Sequence, residues 1–255
     1  KWHLLSPPVS GQILNTNWVA AAGIATGQGS NIAIGSFQNG TPDGTTGPWE
    51  YFTGTASNFT SGKGYAMKKL SEGMFIFNGQ LPAGTQNINI TQGSGSNWNL
   101  IGNPFPSYID VNQFLSINTN PLANAFQAIY VWNSDASSYK AITTGYIAPG
   151  QAFFVNSSSS STTVNVTEAM LSHQKNVVFY KNSAKPKEVI QINISDNKVT
   201  KTTEIEFLQN KTKGLDPRFD IGLFDGVNSD LSIYTHLLEN NEGIKFQKQT
   251  LPNTD

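Results

Sequence analysis

The chain has no cysteine in its 255 residues, which excludes disulfides and thiolate metal sites and leaves packing to hold the fold. No apolar run reaches the roughly 18 residues that a membrane-spanning helix needs, so no transmembrane segment is expected. Charged residues make up only 13% of the chain and the formal net charge is −1, so nothing in the electrostatics favours nucleic acid or an anionic membrane. The three histidines, His3, His173 and His236, stand far apart and form no H-E-x-x-H pair. No P-loop, dinucleotide fingerprint or G-x-S-x-G elbow occurs; "GSGSN" (93–97) lacks the final glycine. Helical periodicity is confined to "YIDVNQFLSI" (108–117), with Asp110 as its N-cap.

What the chain does have is glycine, aromatic residues at 11%, and short runs alternating at period two, the mark of half-buried strands joined by tight turns. Two passages nearly repeat each other. "WHLLSPPVSG" (2–11) is followed by "IAIGSF", "WEYF" and "GKGYAM"; "WNLIGNPFPS" (98–107) is followed by "AIYVWN", "YKAI" and "PGQAFFV". Each series closes on further alternating runs, "MFIFNG" and "NINIT" in the first and "TTVNVT" in the second. Five features recurring in order imply two copies of one β-unit, 1–94 and 95–170. Two copies are too few for a solenoid, so the units must bury their apolar faces against each other. Trp2 and Trp98 are then expected in matching, mostly buried positions. Gly62, Gly64 and Gly150 are expected to open positive-φ turns before core strands.

Charge marks a second boundary. Residues 1–170 hold five lysines and six acidic residues; the remaining 85 hold eleven of each sign. The predicted organisation is a duplicated β-domain over 1–180, a linker at 181–187 around Pro186, and an incomplete β-sandwich over 188–255, the alternative for that last part being a four-strand sheet packed on the first domain. The fold class is therefore all-β: a pseudo-duplicated sandwich or barrel-like domain, then a partial second sandwich. "EVIQINIS" and "KTTEIEFL" read as a hairpin, with "FDIGLFDG" and "LSIYTHL" continuing the strand pattern. The closing "KFQKQTLPNTD" is read as completing no sandwich, and the chain as a mature or trimmed fragment.

Taken together, "WHLLSPPV", "GKGYAM", "WNLIGNPFPS", "IYVWN", "IAPGQAFFV" and "IYTHLLENNEGIKFQKQTLPN" resemble large secreted and surface proteins of the Bacteroidetes, in the region upstream of a type IX secretion system C-terminal sorting domain. The resemblance covers nearly the whole chain. It implies export to the cell surface or the medium, with the type IX secretion machinery as partner through a sorting domain outside this sequence. It implies no activity.

The sequence assembles no nucleophile, base and oxyanion donor, so no enzyme is expected. Its two readings are a non-catalytic surface module, structural or adhesive, and an accessory domain of a secreted hydrolase whose catalytic part lies elsewhere. A surface glycan or another cell-surface protein would be the partner. Sugar stacking would fall to Trp49, Trp132 and Tyr139, which adjoin turns; the competing expectation places these rings in the core. No organic cofactor is implied. Asp216, Asp220 and Asp225 (with Asp230) are the oxygen donors a calcium ion would use, although their spacing is not that of a calcium loop and solvated turn residues explain them as well.

Overall fold

A computed structural model describes residues 1–27, 29, 31–40, 47–134, 138–173, 188–196, 199–226 and 231–253. The expected linker and Asp230 lie outside the described residues. The fold is all-β, and among the described residues none of its sheets closes into a barrel.

The first unit runs β1 (Trp2–Leu5), β2 (Ile13–Leu14), α1 (Thr16–Ala22), β3 (Ile34–Phe37), β4 (Trp49–Tyr51), β5 (Ser57–Asn58), β6 (Tyr65–Lys68) and β7 (Gln86–Ile90). The second repeats that order as β8 (Trp98–Gly102), β9 (Tyr108–Asp110), α2 (Val111–Ile117), β10 (Ile129–Asn133), β11 (Ser138–Ile142), β12 (Tyr146–Ile147), β13 (Ala152–Asn156) and β14 (Thr162–Val166). Each forms a four-stranded antiparallel sheet, β1-β6-β3-β4 in one and β8-β13-β10-β11 in the other, so the same strands take the same places. The short pairs match too, β2 with β5 and β9 with β12. The terminal strands β7 and β14 pair with each other, closing the duplication.

The joint between the copies is itself symmetric. Leu5 bridges Gln151 while Ile101 bridges Lys63. The Ser6 N–H donates to Gly150 O and the Gly102 N–H to Gly62 O, both at 2.9 Å. Gly62 and Gly150 hold φ of 75° and 72°, the left-handed region that glycine enters without steric cost. Gly64 differs from expectation: its φ is not positive, and its role is close approach, since a Cβ there would lie 2.6 Å from Leu100 Cγ.

Alternation decides which residues go where. One face of the first sheet (Ile34, Tyr65, Met67) packs with Leu14 and Phe59 against Val19 and Ala22 of α1. The matching face of the second (Ile101, Ile129, Val131, Phe153, Val155) packs against Val111, Phe114 and Leu115 of α2. The two remaining faces meet each other, Leu4, Phe37 and Ala66 against Leu100, Tyr130, Ala152 and Phe154. Asp110 caps α2, accepting from Gln113 N–H at 3.0 Å. The helix α1 is unanticipated: Asn15 caps it, accepting from Trp18 N–H at 2.9 Å, and Gly23 ends it at φ 63°.

"MFIFNG" is not a strand. Phe75 and Phe77 pack on the first core, but no ladder partner lies alongside, and Met74 and Ile76 stay 85% and 64% exposed. "LSIYTHL" is likewise irregular, touching the sheet by one bridge, Thr235 to Phe246. After β15 (Leu171–Ser172), which pairs with β9, the C-terminal part holds β16 (Val189–Ser195), β17 (Thr200–Leu208), β18 (Ile221–Gly222) and β19 (Phe246–Pro252). They form a single four-stranded sheet in the order β16-β17-β19-β18. The closing segment supplies an interior strand of this sheet, β19. It enters parallel to β17 and antiparallel to β18, with Lys248 Nζ 2.6 Å from the buried Glu206 carboxylate.

Candidate functional site

The densest cluster of chemistry-bearing side chains is the aromatic seam between the two large sheets. At its centre Phe37 and Phe154 meet edge to face, ring centroids 4.8 Å apart. Trp49, opposite Phe37 on β4, packs 5.5 Å from the Phe37 ring and 6.3 Å from Phe154. Trp132 and Tyr139 are cross-strand neighbours on β10 and β11, with centroids 4.9 Å apart. The Trp132 indole N–H donates to Trp2 O at 3.0 Å, tying the second sheet to the first. Sequence reasoning thus picked three residues that the fold brings to one seam, all half-buried and packed on other rings.

One end of the seam is closed by the C-terminal part, as the alternative of a four-strand sheet packed on the first domain requires, although the sequence reading named no residue that makes the contact. Ile221 joins the seam's buried cluster, and Phe224 sits 4.2 Å from Tyr139, 4.6 Å from Trp98 and 5.0 Å from Phe154. Two hydrogen bonds fix it. The Trp98 indole N–H donates to Asp225 Oδ1 at 2.6 Å, and the Tyr130 hydroxyl to Gly222 O at 2.9 Å. Gly226 lets the chain pass: a Cβ there would lie 2.6 Å from the Phe224 ring and 3.1 Å from Trp98. The only early signal was "FDG", an aromatic residue beside a turn dipeptide, which does not name a partner 127 residues away.

This closure breaks the symmetry of the duplicated tryptophans. Trp2 and Trp98 hold matching register positions, opposite Lys68 and Asn156. Trp98 is only 1% exposed, because Phe126 and Phe224 cover it; Trp2, which packs on both neighbouring cores and lies 6.1 Å from Tyr51, is partly buried, so the matching positions differ in degree of burial.

The electrostatics of the closed end follow from burial. Loss of water raises the Tyr130 phenol well above its ordinary range, and the nearby Asp225 carboxylate adds to the shift. Burial raises the Tyr139 phenol too. Both therefore serve as neutral, protonated groups.

The aspartates read as calcium donors go to separate tasks. Asp225 accepts from Trp98. Asp216 Oδ2 accepts from the Thr212 N–H at 2.7 Å and from its hydroxyl at 3.2 Å. Asp220, fully buried, accepts from the N–H groups of Asp216 and Thr250, both at 2.6 Å. Its carboxyl is raised by burial, against the lowering effect of those two N–H donors. Among the described residues no three His, Asp or Glu side chains cluster as a metal site.

An open cavity of about 560 Å³ lies where the second unit meets the C-terminal part, lined by Thr119, Asn120, Asn124, Gln127, Ser158 and Pro217. Amides and hydroxyls dominate its wall, with no carboxylate, imidazole or ammonium among its lining residues.

Residues 33–143, less than half of the chain, match a family described as a domain of unknown function (DUF8693). The matched stretch opens just ahead of β3 and closes just after β11, so it straddles the two units. No curated protein matches the chain. No solved structure matches it either.

Proposed function

We propose that this chain is a non-catalytic structural module of an exported bacterial surface protein, carried outward by the type IX secretion machinery through a sorting domain outside this sequence. The observation that supports the structural role is the closed aromatic seam. Trp49, Trp132 and Tyr139, the side chains best suited to stacking on a sugar, are engaged in joining one sheet to the other, and Phe224 and Asp225 lock the C-terminal sheet to the same seam. Such an arrangement transmits load from one end of the chain to the other and suits a spacer or the body of an adhesin. The export route rests on the resemblance of the tryptophan-led motifs.

The test is made on cells that express the full-length protein. Proteinase K added to intact cells should remove an epitope placed in this region, and inactivation of the secretion machinery should protect it. An epitope resistant on intact cells with an active secretion machinery would overturn the export reading. A glycan array probed with the purified chain tests the role separately. Strong binding abolished by Trp49→Ala and Trp132→Ala in variants that still fold would replace the structural role by sugar recognition.

A further inference from the structure

The strand β16 lies at the edge of the C-terminal sheet, and among the described residues no strand pairs with its outer side. Its seven residues, "VIQINIS", carry no charge, no proline and no bulge, the devices that ordinarily blunt an exposed edge. Val189, Ile190, Ile192 and Ile194 are 40%, 50%, 43% and 37% exposed.

The ladder to β17 sets which backbone groups are free. Phe207 N–H donates to Glu188 O at 3.2 Å, so 188 and 207 form a hydrogen-bonded pair. Antiparallel pairs alternate, so the backbone groups of Ile190, Ile192 and Ile194 point at β17, and those of Val189, Gln191, Asn193 and Ser195 point outward. A strand with this pattern is complementary to itself. Turned by a two-fold axis through Ile192, a second β16 sets Gln191 opposite Asn193 and Val189 opposite Ser195 as hydrogen-bonded pairs. It sets Ile192 opposite itself and Ile190 opposite Ile194 as non-hydrogen-bonded pairs. All three isoleucines of each strand then lie on one face, packed on isoleucine.

The side chains on the other face agree. Gln191 Nε2 is spent on Glu204 (2.9 Å) and Asn193 Oδ1 on the Thr202 hydroxyl (2.6 Å). That leaves a free acceptor, Gln191 Oε1, and a free donor, Asn193 Nδ2, directly opposite each other across the axis. Registers shifted by two residues keep the backbone parity but lose one of the three isoleucine pairs. The geometry points to a symmetric dimer of this chain, built by antiparallel pairing of β16 with β16 of a second copy, centred on Ile192, which joins the two C-terminal sheets into one of eight strands. The unfavourable feature is the meeting of Glu188 with Asp196 of the other copy at each end, a repulsion that salt screens.

Sedimentation across a concentration series should show the purified chain reaching twice the monomer mass, with tighter association at higher salt. Gln191→Pro removes an outward N–H while sparing the ladder to β17, and should weaken the dimer about tenfold or more, as the loss of one or two edge hydrogen bonds implies. Its circular dichroism should match the parent. The absence of native cysteine allows a direct check of register. Ile192→Cys should form a disulfide dimer under mild oxidation, since cross-strand Cα atoms in such a pair lie about 4.5 Å apart. Ile190→Cys should not, its partner cysteine being displaced four residues, about 13 Å, along the strand. A chain monomeric at every concentration, a dimer indifferent to Gln191→Pro, or equal crosslinking from positions 190 and 192 would each overturn the assignment.

Discussion

Phe224→Ala tests whether the C-terminal part is locked to the aromatic seam. The ring has four aromatic neighbours, Trp98, Tyr130, Tyr139 and Phe154, at centroid distances from 4.2 to 5.8 Å. Truncating a fully buried phenylalanine costs about 3–5 kcal/mol, and Phe224 is half-buried, so about 2–3 kcal/mol is expected. Asp225→Ala acts differently. It leaves the Trp98 indole N–H, in a residue 1% exposed, without its acceptor, at a cost of about 1–3 kcal/mol. Both substitutions loosen the packing of one tryptophan, so their effects should fall short of additivity by about 0.5 kcal/mol or more in a double-mutant cycle. Urea unfolding followed by tryptophan fluorescence and far-UV circular dichroism measures all four proteins. The parent should unfold with coincident transitions. In the double variant the C-terminal sheet should melt at lower urea than the duplicated part, splitting the transition and lowering each slope. A Phe224→Ala protein within about 0.5 kcal/mol of the parent, with coincident transitions retained, would refute the idea that this contact couples the two parts.

Three further outcomes are expected. A Cβ on Gly102 would overlap the Ser6 Cβ at the joint between the copies, so Gly102→Ser should destabilise by about 1–3 kcal/mol, and adding Ser6→Gly should restore most of the loss because the two positions are related by the duplication; thermal melts of both variants decide it. The raised phenols of Tyr130 and Tyr139 bind protons more tightly folded than unfolded, so their contribution is complete below pH 10 and is lost as pH climbs beyond it. Unfolding free energies from pH 8 to 12 should therefore fall more steeply for the parent than for Tyr130→Phe, which also gives up the Gly222 hydrogen bond, worth about 1 kcal/mol near neutrality. Trp132→Ala removes the indole that donates to Trp2 O and should cost about 2–4 kcal/mol by chemical denaturation; a neutral effect would place the ring outside the core.

The duplication was legible because strand-forming patterns are local and were written twice. Trp2 and Trp98, Gly62 and Gly150, and "NINI" with "TTVNV" each mark a place where the period-two rule and a turn requirement meet. The strand order within each sheet was not legible, since alternation says which face is buried and not which neighbour pairs. The same limit explains "MFIFNG": its phenylalanines do turn inward, but a strand needs a neighbouring edge, and none is supplied there. The short helix α1 escaped because about two amphipathic turns carry little periodicity; its caps, Asn15 and Gly23, were the usable signal. In the candidate site, Trp49, Trp132 and Tyr139 were picked by residue type, whereas Phe224 was not picked and Asp225 was read as a turn residue or calcium donor, because their partners lie far along the chain. A glycine-bounded turn reads the same whether it faces solvent or seals a core.

The position of β19 has a consequence for the order of assembly. It is the last of the strands in the sequence, yet it stands between β17 and β18 and supplies ladder partners to both. Until it arrives, β17 has a neighbour on one side only, β18 has no neighbour in its sheet, and Glu206 lacks the lysine that neutralises it. Because β17 and β19 run parallel, the connecting chain must travel the full length of the sheet and return before a single pair forms, a loop closure whose entropy is lost in advance of any contact. The duplicated part, with its hairpins and helices, has every ladder partner of its described strands within the first 173 residues and can form earlier. A polypeptide emerging from its amino end would thus spend its late stages as a finished body trailing an open hairpin, and the last strand would act as a latch that sets β18, and with it Phe224, against a seam already waiting for it.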